Sequence, residues 1–226
     1  MVLLLLGYWA VMTLVPVPGW GPGDLAPEGN LAAYLDRMIL GDRLWRDTWD
    51  PEGLLSTLPA VATSLLGVFT GEWIRSGRTR GTKLWGLLAG GVAGILVGWS
   101  WGSVFPINKA LWTSSYVLFT AGAALLLLAG FYWTMEMKGW KAWASPMVVY
   151  GLNAIAVFVA SGLVAKQMAR IRVGQEDTPL KSWLYETLFA SWAGPMNGSL
   201  LFALTYVLAW WLLMWLLYRQ RIFIKI

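Results

Sequence analysis

Residues 83–101 read Lys-Leu-Trp-Gly-Leu-Leu-Ala-Gly-Gly-Val-Ala-Gly-Ile-Leu-Val-Gly-Trp-Ser-Trp, with no charge after Lys83. An α-helix crosses a hydrocarbon core with about 20 apolar residues. Lipid offers no hydrogen bonds, so such a run must satisfy its own backbone, which a helix does. Glycine recurs at 86, 90, 94 and 98, on one helical face every four residues. That spacing predicts close packing against a neighbouring helix. Four further segments fit the same description: Leu55–Ile74, Thr113–Thr134, Ser145–Ala165 and Gly198–Tyr218. Met1–Val15 is also apolar but would span only about 22 Å. It lacks the basic start and cleavage site of a signal peptide, and reads as a membrane helix that begins within the bilayer or upstream. The expected fold is an all-α polytopic transmembrane bundle of about six helices, forming a single domain.

The composition agrees. Of 226 residues, 58% are hydrophobic and 13% charged, against about 45–50% and 25% in soluble domains. The 17 tryptophans suit the headgroup level of a bilayer. The net charge of +5 comes without a long Lys/Arg run, so no nucleic-acid partner is expected. Cysteine and histidine are both absent. This excludes a thiolate nucleophile, a His general base and any Cys or His metal site within the chain, and no metal is expected.

Pro16–Asn30 is rich in Pro and Gly and cannot be regular helix. Beyond it, Leu31, Tyr34, Leu35, Met38 and Ile39 fall at helical spacing. They predict an amphipathic helix over 31–46, lying on the membrane surface or capping the bundle. Basic residues set the orientation. Arg75, Arg78, Arg80 and Lys83 share a side with Lys138, Lys141, Arg219, Arg221 and Lys225, which places the C-terminus in the cytoplasm. Residues 16–54, 102–112 and 166–197 then lie opposite. Lys166, Arg170 and Arg172 run against the rule there, accompanied by Glu176, Asp177 and Glu186.

Polar residues in such a chain need a partner or a task. Asn153, near the middle of its segment, reads as interhelical hydrogen-bond glue or as pocket lining. Glu72 and Arg75 are spaced for an i,i+3 ion pair. Asp50-Pro51-Glu52-Gly53 precedes a membrane helix, so its carboxylates fit an acid–base pair or an N-terminal cap. Pro106–Tyr116 packs Asn108, Lys109, Thr113, Ser114, Ser115 and Tyr116 into one junction. Lys109 suits an anionic or carbonyl group, and Asn108, Ser115 and Tyr116 suit a polar ligand. The other reading is an aromatic anchor with a snorkelling lysine. Both clusters fall on the same, non-cytoplasmic side.

These stretches form an ordered series: Val15-Pro16-Val17-Pro18-Gly19, Gly29–Arg37, Asp50–Ala60, Pro106 with Asn108-Lys109, Leu111-Trp112, Ser115-Tyr116-Val117, Lys138-Gly139-Trp140 and Gly151–Ile155. The series resembles the bacterial relatives of heparan-α-glucosaminide N-acetyltransferase, over nearly the whole chain. The resemblance implies an acyltransferase with more transmembrane helices than these, of which this chain matches the C-terminal half. The family takes acetyl from cytoplasmic acetyl-CoA and passes it to the amino group of a glucosamine across the membrane, using a histidine from its N-terminal half. It implies that Asp50, Glu52, Asn108, Lys109, Ser115, Tyr116 and Asn153 line the acyl or sugar pocket. The rim of Arg75, Arg78, Arg80 and Lys83 lies where CoA would arrive, and positive-inside bias also explains it. Without histidine the chain alone is expected to be inactive. The implied partners are membrane lipid, an amino-sugar acceptor, and a missing N-terminal half or a second copy; the implied location is a bacterial inner membrane. Two other readings stand beside this one. A small transporter would need a coupling ion site or broken helices, neither visible in the sequence. A non-catalytic membrane fragment would suit the absent histidine.

Overall fold

The computed structural model describes residues 1–174 and 177–224. Glu176 and Lys225, which entered the charge pattern, lie outside the described residues. The fold is all-α and of membrane type. Three helical stretches are long and apolar enough to cross a bilayer: Arg80–Trp101, Ser114–Met137 and Leu180–Arg219. A bent pair, 142–152 with 154–170, makes a fourth if counted as one span. The helix over Leu55–Ile74 forms as Thr57–Arg75, at 19 residues, but is not among them. The chain divides into two compact units, Met1–Trp140 and Lys141–Ile226.

In the first unit, α1 (Val2–Leu14) leads into a hairpin of β1 (Pro16–Val17) and β2 (Gly21–Pro22), paired antiparallel. Helix α2 (Leu31–Leu40) follows, then a 3-10 turn at Gly41–Arg43. Helices α3 (Thr57–Arg75), α4 (Arg80–Trp101) and α5 (Ser114–Tyr132) complete the unit, and α5 continues as a π-helical turn over Trp133–Met137. Side-chain caps set several starts. Asn30 Oδ1 accepts from Ala33 N at 2.8 Å, and Thr79 Oγ1 from Thr82 N at 3.2 Å. Each satisfies an amide that the helix leaves open.

The glycine face of α4 packs as its spacing predicts. A Cβ on Gly94 would lie 2.9 Å from the α-carbon of Gly122 on α5, and one on Gly98 would lie 2.5 Å from Phe119 N. Gly86 instead receives the Trp73 ring from α3. Two long-range bonds fix the short α1. Tyr8 Oη donates to Leu111 O at 2.5 Å, and Ser114 Oγ to Leu5 O at 2.7 Å. Each contributes about 1 kcal/mol. Around them Met12, Val17, Leu31, Phe105 and Leu111 form one buried cluster, with Leu55 and Trp101 against it. This core lies at the end of the unit where α3 begins and α4 finishes.

Helix α2 departs from its expected form. It stops at Leu40 rather than near residue 46, because Gly41 turns the chain with φ +55°. Its buried residues are Leu31, Ala32, Ala33 and Asp36, while Met38 and Ile39 are 64% and 61% exposed. The apolar stripe thus faces outward at its C-terminal end, as an interfacial helix in contact with lipid would present it, and a carboxylate is drawn inside.

In the second unit the expected continuous helix over Ser145–Ala165 is broken. It forms as α6 (Ser145–Leu152) and α7 (Ala154–Arg170), bent by 68° at Asn153. Asn153 has left the helical region, at φ −127° and ψ 35°. Next come a hairpin of β3 (Arg172–Val173) and β4 (Thr178–Pro179), then α8 (Leu180–Tyr185) and a π-helical turn over Glu186–Ala190. Helix α9 (Ser191–Arg219) starts earlier than the expected Gly198 and carries its own break at Gly194, φ +76°, just before Pro195. Proline has no N–H to donate into the preceding turn. The expectation that this chain has no broken helices is therefore corrected at both Asn153 and Gly194. Tyr150 Oη donates to Val207 O, and Trp211 Nε1 to Pro146 O at 3.2 Å, which lock α6 to α9.

Candidate functional site

The Asp50-Pro51-Glu52-Gly53 turn leads into α3. Asp50 Oδ1 accepts from Glu52 N at 2.8 Å, and Oδ2 from Trp45 N at 3.1 Å. Asp50 therefore shapes its own loop, as Asp does in turns, and does not cap α3. Ser56, the residue at that cap position, makes no side-chain cap bond. Glu52 is exposed.

Behind this turn lies a carboxylate that sequence reasoning left out of the site. Asp36, on α2, is 0% exposed. Its Oδ1 accepts from Leu54 N at 2.9 Å, whereas Oδ2 has no hydrogen-bond partner among the described residues. The carboxyl lies against Gly53, where any Cβ would collide with Oδ2. Ser56 Oγ and Thr57 Oγ1 close on Gly53 O at 2.9 and 3.1 Å. Burial raises the Asp36 pKa above its usual 3.8; the Leu54 amide opposes this and the charge of Asp50 adds to it. A protonated Asp36 avoids the cost of an enclosed, unpaired charge. The available sequence signal was its position three and four residues beyond Ala33 and Ala32, on the small-residue face of α2.

The Pro106–Tyr116 junction is largely occupied with itself. Asn108 Oδ1 accepts from Ala110 N at 2.8 Å and Leu111 N at 3.4 Å. Thr113, the hub, donates to Pro106 O at 2.8 Å and accepts from Asn108 N at 3.0 Å. Ser115 is fully buried and donates to Phe105 O at 2.5 Å. Trp112, in the left-handed region at φ +52°, donates its indole N–H to Thr63 Oγ1 at 3.1 Å and stacks edge-on against Tyr116. Lys109 is exposed and makes no ion pair among the described residues. The hydroxyls therefore build the junction, and Lys109 is its available charge. The shared core of Leu31, Leu55, Phe105 and Leu111 brings this junction and the α2–Gly53 region to one end of the unit.

At the other end of the unit, Arg80 and Lys83 line a cavity of about 490 Å³ with Tyr132, Met135 and Glu136. Arg80 Nη1 donates to Glu136 O at 2.9 Å, on the π-helical turn. Such turns are frequent at functional sites. Arg78 lies over the Trp73 ring at 4.5 Å, a cation–π contact, and Arg75 is exposed. Neither lines the cavity. Glu72 and Arg75 form no ion pair among the described residues, so that expectation is corrected: both side chains are exposed and solvated, where such a pair gains little.

Asn153 belongs to the second unit. It is 1% exposed at the α6–α7 break. Its Nδ2 donates to Ile222 O at 3.2 Å and its Oδ1 accepts from Ile224 N at 2.8 Å. It clasps the extended segment after α9.

No family model matches the chain. The human (Homo sapiens) heparan-alpha-glucosaminide N-acetyltransferase is 27% identical over 259 residues, covering 100% of this chain and 36% of that protein. The mouse (Mus musculus) protein of the same name is 26% identical over 258 residues, covering 100% of the chain and 37% of that protein. The chain thus spans little more than a third of the length of these curated relatives. Along its whole length, this integral membrane protein is similar to the heparan-alpha-glucosaminide N-acetyltransferases.

Proposed function

We propose that this chain is part of a membrane acetyltransferase that moves acetyl from cytoplasmic acetyl-CoA to the amino group of an amino sugar across the bilayer, in a bacterial inner membrane with the C-terminus cytoplasmic. The observation that supports this reading is the match of the entire chain to part of two proteins named as heparan-alpha-glucosaminide N-acetyltransferases. Two ends of the first unit support it. The cavity lined by Arg80 and Lys83 offers cations to the phosphates of the donor. The opposite end offers Glu52 and Lys109, set in loops held rigid by Asp36, Asp50 and Thr113. In the reaction the amine nitrogen attacks the thioester carbon, the C–S bond breaks, and the proton lost by the amine ends on the CoA thiol. Lys109 is the available cation for the carbonyl oxygen as it gains negative charge, and Glu52 for sugar hydroxyls as acceptor. The chain holds no histidine, and no general base is assigned within it.

The test is transfer of labelled acetyl from acetyl-CoA to glucosamine by the chain in nanodiscs, alone and co-expressed with a polypeptide supplying the remainder of its relatives' length. We expect no turnover alone and turnover in the combination. Turnover by the chain alone would contradict the assignment of the base elsewhere, and none in the combination would contradict the acetyltransferase reading.

A small transporter is the second reading. The helix breaks at Asn153 and Gly194 support it, because transporters place substrates at discontinuous helices. Solute flux across proteoliposomes that Asn153→Ala abolishes would favour it.

A further inference from the structure

We infer that the slot between α7, α8 and α9 in the second unit binds an anionic phospholipid, with one acyl chain inside and the headgroup on Lys181. The slot is open to one side and has a volume of about 450 Å³, within the range of small-ligand sites. Ala165, Met168, Phe202 and Ala203 make its walls. The phenol protons of Tyr185 and Tyr206, which also line it, are already donated, to Pro195 O at 2.8 Å and Ser161 O at 2.7 Å. Apart from the Ser199 hydroxyl, the walls therefore offer little to orient a polar ligand, and suit a hydrocarbon chain.

The rim is of the opposite character. Lys181 is exposed, makes no ion pair among the described residues, and is flanked by Ser182. Lys166 and Arg170 on the last turns of α7 and Arg172 in the adjoining hairpin are exposed at the same end. Among the described residues the acidic side chains near them are Asp177 and Glu186. Arg172 binds the backbone carbonyl of Asp177 at 3.2 Å, not its carboxylate. Trp183, two residues beyond Lys181, stands outward at 42% exposure, as tryptophan at headgroup level does. An apolar slot with an exposed cation at its rim matches a lipid tail below an anionic head. It also gives a physical reason for the basic residues at 166–172, which the charge rule for cytoplasmic loops leaves unexplained.

The test is native mass spectrometry of the chain released from nanodiscs of equal phosphatidylglycerol and phosphatidylethanolamine. We expect one phosphatidylglycerol retained, preferred about fivefold over phosphatidylethanolamine. Lys181→Glu, on the surface, should bring that preference to parity. Ala203→Trp should abolish retention of either lipid, with helicity by circular dichroism unchanged. Equal retention of both lipids by the unmodified chain, or an unchanged preference in Lys181→Glu, would overturn the assignment of the headgroup. Unchanged retention in a folded Ala203→Trp would overturn the assignment of the tail.

Discussion

Replacing Asp36 by Asn should make the protein more stable at neutral pH and remove part of its pH dependence. The carboxyl is fully enclosed, with one oxygen bound to Leu54 N and the other unpartnered among the described residues. Its folded pKa is raised above 3.8, chiefly by burial. A raised pKa means that the folded state holds its proton more tightly than the unfolded state. The stabilisation is complete below pH 3.8, and is lost as pH climbs through the folded pKa. Asn keeps an acceptor for Leu54 N without a charge to bury. Asp36→Asn and wild type should therefore melt alike in acid, and the variant should melt higher as pH approaches neutrality. Asp36→Ala removes the acceptor and orphans the Leu54 amide, at a cost of about 1–3 kcal/mol even in acid. The assay is tryptophan-fluorescence melting in detergent across pH 4–8. A wild-type stability that rises with pH in parallel with Asp36→Asn would refute the reasoning.

Three further outcomes follow from the packing. Gly53→Ala drives a methyl into the Asp36 carboxyl and should cost about 1–3 kcal/mol, whereas Gly67→Ala on α3 meets open space and should gain about 0.5–1 kcal/mol; chemical denaturation in mixed micelles compares them. Gly98→Leu would push its side chain into the backbone of Phe119 and should separate α4 from α5, read as loss of cross-linking between cysteines introduced on the two helices. Asn153→Ala removes both bonds to the segment at 222–224, and hydrogen exchange at Ile224 should accelerate at least tenfold, from a loss of about 1.4 kcal/mol or more.

Most of the architecture was legible because membrane helices announce themselves by composition. The α4 glycines specified a close neighbour, and α5 is that neighbour at Gly94 and Gly98. The break at Asn153 was not legible. Residues 145–165 are predominantly apolar, and what bends them is the Asn153 amide clasping a backbone some 70 residues later, which no local pattern encodes. Asp36 was obscured for a related reason. Periodicity set Asp36 on the polar side of an amphipathic α2, but an interfacial helix has two apolar surroundings, and Met38 and Ile39 took the outer one while Asp36 was buried. The polar richness of 106–116 was read as available to a ligand. The structure shows Asn108, Thr113 and Ser115 bonding to the backbone of their own junction, a distinction that composition alone cannot make.

Equilibrium binding of acetyl-CoA to the chain in nanodiscs tests the proposed role most directly. Saturable binding is expected, displaced by CoA, and weakened about tenfold or more when Arg80 and Lys83 are both replaced by Ala, as the loss of two charge-assisted contacts requires. An absence of binding, or binding indifferent to both replacements, would contradict it.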